Sequence, residues 1–403
     1  MDVASNRQER ALRVVMIRGG DLTFAPHIVT LANFLAAQGV HLTLACYGAN
    51  ARPQTLAPQI RFVSIAGGNK GGSALSVASI VRGLSHCLRQ EQFDICYAID
   101  SWTLPYLWLA LRGKPGGGAR RLVYHTFEWL EPGLQSSLRI RLERWFARAA
   151  DLVVTVDRTR GRLMQTLYSL PVSPMCVRNS LLRDTPVTEG DPLLRTSLLG
   201  PDAPEPSILM VYPSQASASR LTLELVLAFA LLPERYRLVT FASSEDEYVR
   251  ECREVVRMRQ LQDRVHLVPM VPHSEVMSYL ACADIGAILH DGRLSAGNFM
   301  AAPQRLSDYA VHGIPVVASD YPNMEALIYR YGLGRCADPF QPQRLADAIL
   351  ALVERDASIE SRRAHIHRVF REELCFDIQG LQLLSALQQL AGVPDQVMEP
   401  VEV

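Results

Sequence analysis

Residues 298–325 read N-F-M-A-A-P-Q-R-L-S-D-Y-A-V-H-G-I-P-V-V-A-S-D-Y-P-N-M-E. The order is a loop, a short helix, a tight turn, a buried strand and a second loop. Pro303 suits the first turn of a helix, where a missing N–H costs nothing, and Gly313 suits the left-handed position just past its end. Leu306, Tyr309 and Ala310 recur at helical spacing and predict one apolar face. Pro315 to Ser319 predicts a strand buried on both sides, as in a parallel sheet. A helix that opens from an Ala-rich loop can hold an anion on its free N–H groups. Asp308 inside it adds a carboxylate able to accept hydrogen bonds from sugar hydroxyls. An ordinary helix–strand unit with a surface aspartate has the same letters, so the rest of the chain must decide.

Working outward, the second half repeats this alternation. Strands are predicted at Ile208–Tyr212, Arg237–Phe241, Val265–Val268 and Ile285–Leu289, with helical segments between them. Helical patterns follow over 342–353 and 359–390. The first half has the same rhythm, with strands predicted at Arg13–Ile17, Leu42–Cys46, Phe93–Ile99, Arg121–Tyr124 and Leu152–Val156. Between Arg183 and Pro206 the chain is rich in Pro, Gly, Asp and Glu and lacks periodicity, so it reads as a linker. Two α/β layers joined by a linker also suit 403 residues, too many for one ordinary core.

Lysine plus arginine equals aspartate plus glutamate at 41 each, so no global charge argues for a nucleic-acid partner. The eight cysteines are scattered, without a C-x-x-C pair, as free thiols in a reducing compartment would be. The polar start does not read as a signal peptide, and no apolar run is long enough to span a bilayer. The expected setting is cytoplasmic, with a peripheral contact at the inner face of a membrane left open. Residues 138–150 form an arginine-rich helical pattern with Ile140, Leu142, Trp145 and Phe146. It reads first as a scaffold helix with a solvated charged face, and second as a helix on an anionic membrane surface.

Polar groups collect where strands end. Gly19 and Gly20 follow the first strand, where backbone can approach a ligand closely. A looser Gly-rich loop with Lys70 spans 67–72, and Lys114 to Gly118 reads as a surface turn. Asp100 follows the strand Phe93–Ile99, while His125 and Glu128 follow Arg121–Tyr124. In open α/β sheets this edge is where ligands sit, so the three are candidates for one cleft. In the second half Arg220 ends the loop after the first strand, and Arg305 lies one turn before Asp308. Two guanidiniums beside a helix start suit a diphosphate, because arginine gives paired planar hydrogen bonds to phosphate oxygens. No H-E-x-x-H, G-x-S-x-G or P-loop lysine motif occurs, and no metal site is expected.

Together these features resemble the family-four nucleotide-sugar glycosyltransferases, over about residues 13–352. Pro303-Gln-Arg-Leu-Ser-Asp-Tyr309 is similar to the family's P-N-K-L-F-E-Y variant. Residues 312–320, H-G-I-P-V-V-A-S-D, resemble its A-G-x-P-V-V-A-S-D segment, and residues 331–339 its G-x-G-x-x-x-D-P closing segment. Tyr124 to Glu128 is similar to Y-D-x-H-E. The resemblance implies a GT-B fold: two Rossmann-like, doubly wound parallel-sheet domains facing a central cleft. The implied domains are 1–185 for the acceptor, a linker at 186–206, 207–370 for the nucleotide sugar, and a helical segment 371–403 packing back toward the first domain.

The implied activity is transfer of a hexose from a UDP- or GDP-sugar, with retention, to a glycan, lipid-linked or small-molecule acceptor. Neither a metal nor a cofactor beyond the donor is implied, since fixed positive groups and N–H donors carry the leaving charge. His125, Glu128 and Asp308 are the implied catalytic positions. Gly19, Gly20, Arg220, Asn298, Arg305 and Asp308 are the implied donor-binding ones, Asp308 at the ribose. Met300 stands where the first glutamate of the family's E-x7-E pair belongs, and Asp308 is one methylene shorter than the second. These departures keep two alternatives in view: a catalytically silent GT-B protein that regulates a partner transferase, and a GT-B nucleotide-sugar epimerase.

Overall fold

The computed structural model describes residues 10–394, apart from 23–24, 50, 68–73, 112–120, 129–136, 201–202, 244–245, 302 and 356–358. Lys70 and the Lys114 to Gly118 turn lie outside the described residues. The chain divides into two compact units. One comprises residues 1–178 and 376–403, and the other residues 179–375.

The first unit holds a seven-stranded sheet in the order β3-β2-β1-β4-β5-β6-β7. Its strands are β1 (Arg13–Gly19), β2 (His41–Tyr47), β3 (Arg61–Ile65), β4 (Ile95–Ile99), β5 (Arg121–Thr126), β6 (Leu152–Thr155) and β7 (Met175–Cys176). Neighbouring strands pair in parallel, as β1 does with both β2 and β4. Val15, Ile17, Ala45, Cys96 and Ala98 pack against Ile80, Leu84, Leu104 and Leu107 of the helices on one face. Their neighbours Val14, Met16, Leu44, Ile95 and Tyr97 are just as buried, since both faces of the sheet are covered. Burial on both sides is why these strands are continuous apolar runs and not alternating ones. A residue of Val, Leu or Ile size gives roughly 1.5–3 kcal/mol on such burial.

The second unit holds a six-stranded parallel sheet in the order β10-β9-β8-β11-β12-β13. These are β8 (Ile208–Gln215), β9 (Tyr236–Ala242), β10 (Val265–Pro269), β11 (Ile285–Ile288), β12 (Val316–Ser319) and β13 (Gly334–Ala337). In each sheet the strand order reverses once, between β1 and β4 and between β8 and β11. Loops leaving those strands diverge to opposite faces and open a crevice at the carboxyl edge. The fold therefore nominates the loops after β1, β4, β8 and β11 before any side chain is considered.

Two details depart from the expected layout. The stretch 186–206, read above as a linker, holds the helix Pro192–Leu199, capped by the Asp191 carboxylate accepting from Leu193 N–H at 2.9 Å. Arg195 on that helix pairs with Asp284 at 2.7 Å, so the stretch is part of the second unit and not a free tether. The helical pattern over 359–390 is interrupted: Ile359–Val369 is followed by a π-turn to Leu374, and Cys375 is extended before Phe376–Ala391 begins. That last helix packs on the helix Pro26–Ala37, with Phe376 edge-on to Phe34 at 5.3 Å.

Candidate functional site

In the second unit, the seam between β8 and β11 organises the site. The two strands pair over only two positions, Met210 with Ile285 and Val211 with Gly286. Where they part, Tyr309 reaches up from the helix Arg305–Val311, and its hydroxyl donates to Val211 O at 2.8 Å and accepts from Ala287 N–H at 3.2 Å. Farther along the seam, the Tyr212 hydroxyl bridges the carbonyls of Arg220 and Leu289 at 2.9 and 3.1 Å. Asp291 N–H donates to Ser219 O at 3.0 Å, which ties the β8 loop to the β11 loop. Neither tyrosine stood out in the sequence as more than a core aromatic.

Arg220 ends a single 3₁₀ turn, Ala218–Arg220, and Leu221 after it takes a left-handed φ of 51°. The guanidiniums of Arg220 and Arg305 both act on the buried Tyr212 phenol, which burial raises and both positive charges lower. Burial, and then Arg220, also hold the His290 imidazole down at about 3, so it is neutral. Through its carbonyl Arg220 stands at the β8/β11 seam beside Tyr212, and Arg305 opens the helix that brings Tyr309 to the same seam. Arg305 keeps its Nη1 buried without a hydrogen-bond partner, 3.9 Å from the Asp308 carboxylate.

Asp308 has a side chain only 3% exposed. Arg305, on the same helix one turn earlier, comes within 3.9 Å of it, and a ribose would have to enter a covered position to reach it. Met300, which the resemblance sets at the family's first acidic position, is also buried. Asn298 sits in a separate single turn, Ala296–Phe299, with its side-chain amide donating to Asp291 O at 3.1 Å.

The helix begins at Arg305 and not at Pro303. The N–H groups of Leu306, Ser307 and Asp308 already donate to the carbonyls of Pro303 and Gln304, which leaves less of the helix end to an anion than the sequence suggested. Gly313, just past the helix, takes the expected left-handed φ of 67°.

In the first unit the crevice lies between the ends of β1 and β4. Gly19 closes β1 against the Tyr47 ring, where an added Cβ would lie 2.3 Å from Cζ, so its bareness serves packing. Gly20 has φ 97° and open space around its Cα, and its N–H donates to Tyr47 O at 2.9 Å. Asp100, at the end of β4, has φ 59°, and its carboxylate accepts from the N–H groups of Phe127 and Glu128 at 2.8 and 3.2 Å. It pins the loop after β5. Burial pushes its carboxyl up, and Arg18 pulls it back.

His125 is 1% exposed, with Nδ1 hydrogen-bonded to the Tyr97 hydroxyl at 2.8 Å and Nε2 buried without a partner. Burial, then His27, hold it well below the usual imidazole range. Its ring stacks on Phe127 at 3.9 Å, and His27 meets the other side of the cluster, 4.5 Å from Phe127. Glu128, by contrast, is exposed. The structure brings Asp100, His125 and the Glu128 backbone together, but the two predicted catalytic side chains part, one into the core and one to solvent. Arg18 and His27 join this cluster unannounced by the sequence. The signal available was their place, immediately before the glycine pair and in the first turn of the following helix. Among the described residues, no group of three or more His, Cys, Asp or Glu gathers as a metal cluster.

Residues 25–178 match the family model Glycosyltransferase Family 4. No curated protein sequence matches the chain significantly. Among solved structures, sucrose-phosphate synthase from Thermosynechococcus elongatus superposes with a TM-score of 0.73 at 15% identity, over 95% of this chain and 100% of that one. HepE of Anabaena in complex with UDP gives 0.72 at 16% identity, over 94% and 100%. A glycosyltransferase from Rickettsia africae gives 0.71 at 12% identity, over 94% and 98%. At these identities the likeness is one of fold, and the fold is GT-B.

Proposed function

We propose that this chain, which matches the Glycosyltransferase Family 4 model over residues 25–178 and has the GT-B fold, is a retaining hexosyltransferase that takes its sugar from a UDP- or GDP-sugar. The observation that carries the reading is that Arg220, whose carbonyl accepts the Tyr212 hydroxyl at 2.9 Å, and Arg305, opening the helix that sends Tyr309 to Val211 at 2.8 Å, both stand at the β8/β11 switch. One guanidinium on a backbone-anchored turn and one at a helix start form a preorganised cradle for a diphosphate, and they stabilise the leaving charge without solvent reorganisation. HepE, solved with UDP and with UDP-glucose on the same fold, supports the donor class.

In this reading Asp308 serves first as the counter-ion that orients Arg305, and Asn298 braces the β11 loop beneath the donor. The same cradle makes a metal or further cofactor unnecessary. The first unit takes the acceptor, a glycan, a lipid-linked or a small molecule, at Gly20 and Glu128, while neutral His125 shapes the pocket from below. The sugar leaves with its diphosphate through an oxocarbenium-like state, and the acceptor hydroxyl attacks from the same face. No helix among the described residues is long and apolar enough to cross a membrane, and we place the enzyme in the cytoplasm with a peripheral membrane contact.

Isothermal titration with UDP, GDP and their hexose conjugates tests the donor site, and NMR of the product anomer tests retention. Absence of binding to every nucleotide and nucleotide sugar, or an inverted product, would end this reading. The buried Met300 favours one alternative, a silent GT-B protein. Donor binding without turnover or hydrolysis across a broad acceptor panel would establish that reading instead.

A further inference from the structure

We propose that the face carrying the helix Ser137–Ala149 is a docking surface for an anionic lipid bilayer. This refines the membrane contact named above, and its test reads lipid binding without turnover, so its failure leaves the transferase reading standing.

The helix has two faces of opposite character. Inward, Glu143 is buried and accepts the hydroxyls of Tyr124 and Tyr168 at 2.6 and 2.7 Å, beside buried Phe146 and Ala147. This face fastens the helix to the unit. Outward, Leu138, Leu142 and Trp145 are 64%, 40% and 47% exposed, at spacings of four and three that put them on one stripe. Arg141, Arg144 and Arg148 are exposed beside that stripe. They line, with Trp145 and Ala149, an open cavity of about 500 Å³.

The apolar area continues onto the neighbouring elements. Trp108 meets Trp145 edge-on at 5.7 Å, Leu109 is exposed next to it, and the exposed Trp102 ring carries the Arg139 guanidinium 3.3 Å above its centre. Because the only carboxylate of the helix is turned inward, the charge it shows to solvent is entirely positive, on a chain whose net charge is zero.

That combination selects the occupant. A second copy docking through the same patch would set arginine against arginine about a two-fold axis. An acidic partner would satisfy the guanidiniums but leave the leucine and tryptophan stripe without a counterpart. A bilayer surface answers both: the apolar side chains enter the headgroup–acyl boundary while the guanidiniums meet lipid phosphates, one of them within reach of the cavity.

The test is co-sedimentation of the full chain with sucrose-loaded vesicles of phosphatidylcholine, alone or with about one part in three phosphatidylglycerol. The expected result is partitioning onto the anionic vesicles roughly tenfold or more above the neutral ones. Arg141→Glu with Arg148→Glu should cut it about tenfold or more, and Leu138→Glu, at a fully outward position, should weaken it while leaving the melting transition unchanged. Equal or absent partitioning of the unaltered protein would overturn the proposal, as would unchanged binding of the variants. So would a dimer, seen by light scattering, that Leu138→Glu dissolves. If the double variant fails to fold, Leu138→Glu alone decides.

Discussion

The hydroxyl of Tyr309 donates to the backbone carbonyl of Val211 at 2.8 Å, at the point where β8 and β11 cease to pair. A side chain from the next helix therefore takes over the role of the missing ladder bonds and holds the crevice open on defined edges. Tyr309→Phe keeps the ring and deletes the hydroxyl, which strands the Val211 carbonyl and the Ala287 N–H in a buried setting. The expected cost is about 1–3 kcal/mol of unfolding free energy, read by urea titration. A change below about 0.5 kcal/mol would mean that the strands hold the seam without it.

Arg305 has two roles to separate. In the proposed function its guanidinium holds the diphosphate, and it also lies 3.9 Å from the Asp308 carboxylate. Arg305→Ala should weaken nucleotide-sugar binding by about 2–3 kcal/mol, as expected for a lost charged hydrogen bond. It should also lower the melting temperature, because a buried carboxylate loses an adjacent positive charge. Adding Asp308→Asn should then restore stability without restoring affinity. Titration calorimetry beside thermal melts reads both, and recovery of affinity in the double variant would remove Arg305 from the donor site.

Glu143 predicts a pH dependence with a definite sign. Burial raises its carboxyl from 4.5 to about 7, against the pull of the two tyrosine hydroxyls. A carboxyl that holds its proton more tightly when folded stabilises the fold below its unfolded value. That contribution is lost as pH rises through about 7. Glu143→Gln, which cannot ionise, should gain about 3 kcal/mol on the unaltered protein between about pH 5 and about pH 8. Urea unfolding of both proteins across that window measures the difference, and parallel curves would show that the carboxyl is not held protonated.

His27 acts with the opposite sign. Burial, then Arg18, lowers its imidazole from 6.5 to about 4. A histidine kept neutral in the fold contributes stability that is present above the unfolded value and lost as pH falls through about 4. His27→Gln should flatten the acid side of the stability profile of the first unit by about 3 kcal/mol between pH 6.5 and 4. Acid titrations followed by circular dichroism check this. A variant as acid-sensitive as the unaltered protein would place the lability elsewhere in that unit, at His125.

Much of the molecule was legible in its letters. The apolar runs at Arg13–Ile17, Ile208–Tyr212 and Pro315–Ser319 are strands, because a parallel sheet buried on both faces demands uninterrupted apolar sequence. Short, partly exposed β3 and two-residue β7 carried no such pattern, since edge strands need not be buried on both faces. The break at Cys375 was also invisible, because the helical periodicity continues through it while the chain passes from one unit to the other.

The site divides along the same physical line. Local sequence determined that Arg220, Arg305 and Asp308 would stand at strand-to-helix junctions, because strand, turn and helix are set by neighbours a few residues away. Only the tertiary structure decided that Tyr309 and Tyr212 stitch the β8/β11 seam, that Asp308 is covered beside Arg305, and that His125 turns inward while Glu128 turns out. The tyrosine contacts join residues 8 to 98 positions apart along the chain, and a one-dimensional pattern does not record which distant atoms will be desolvated together.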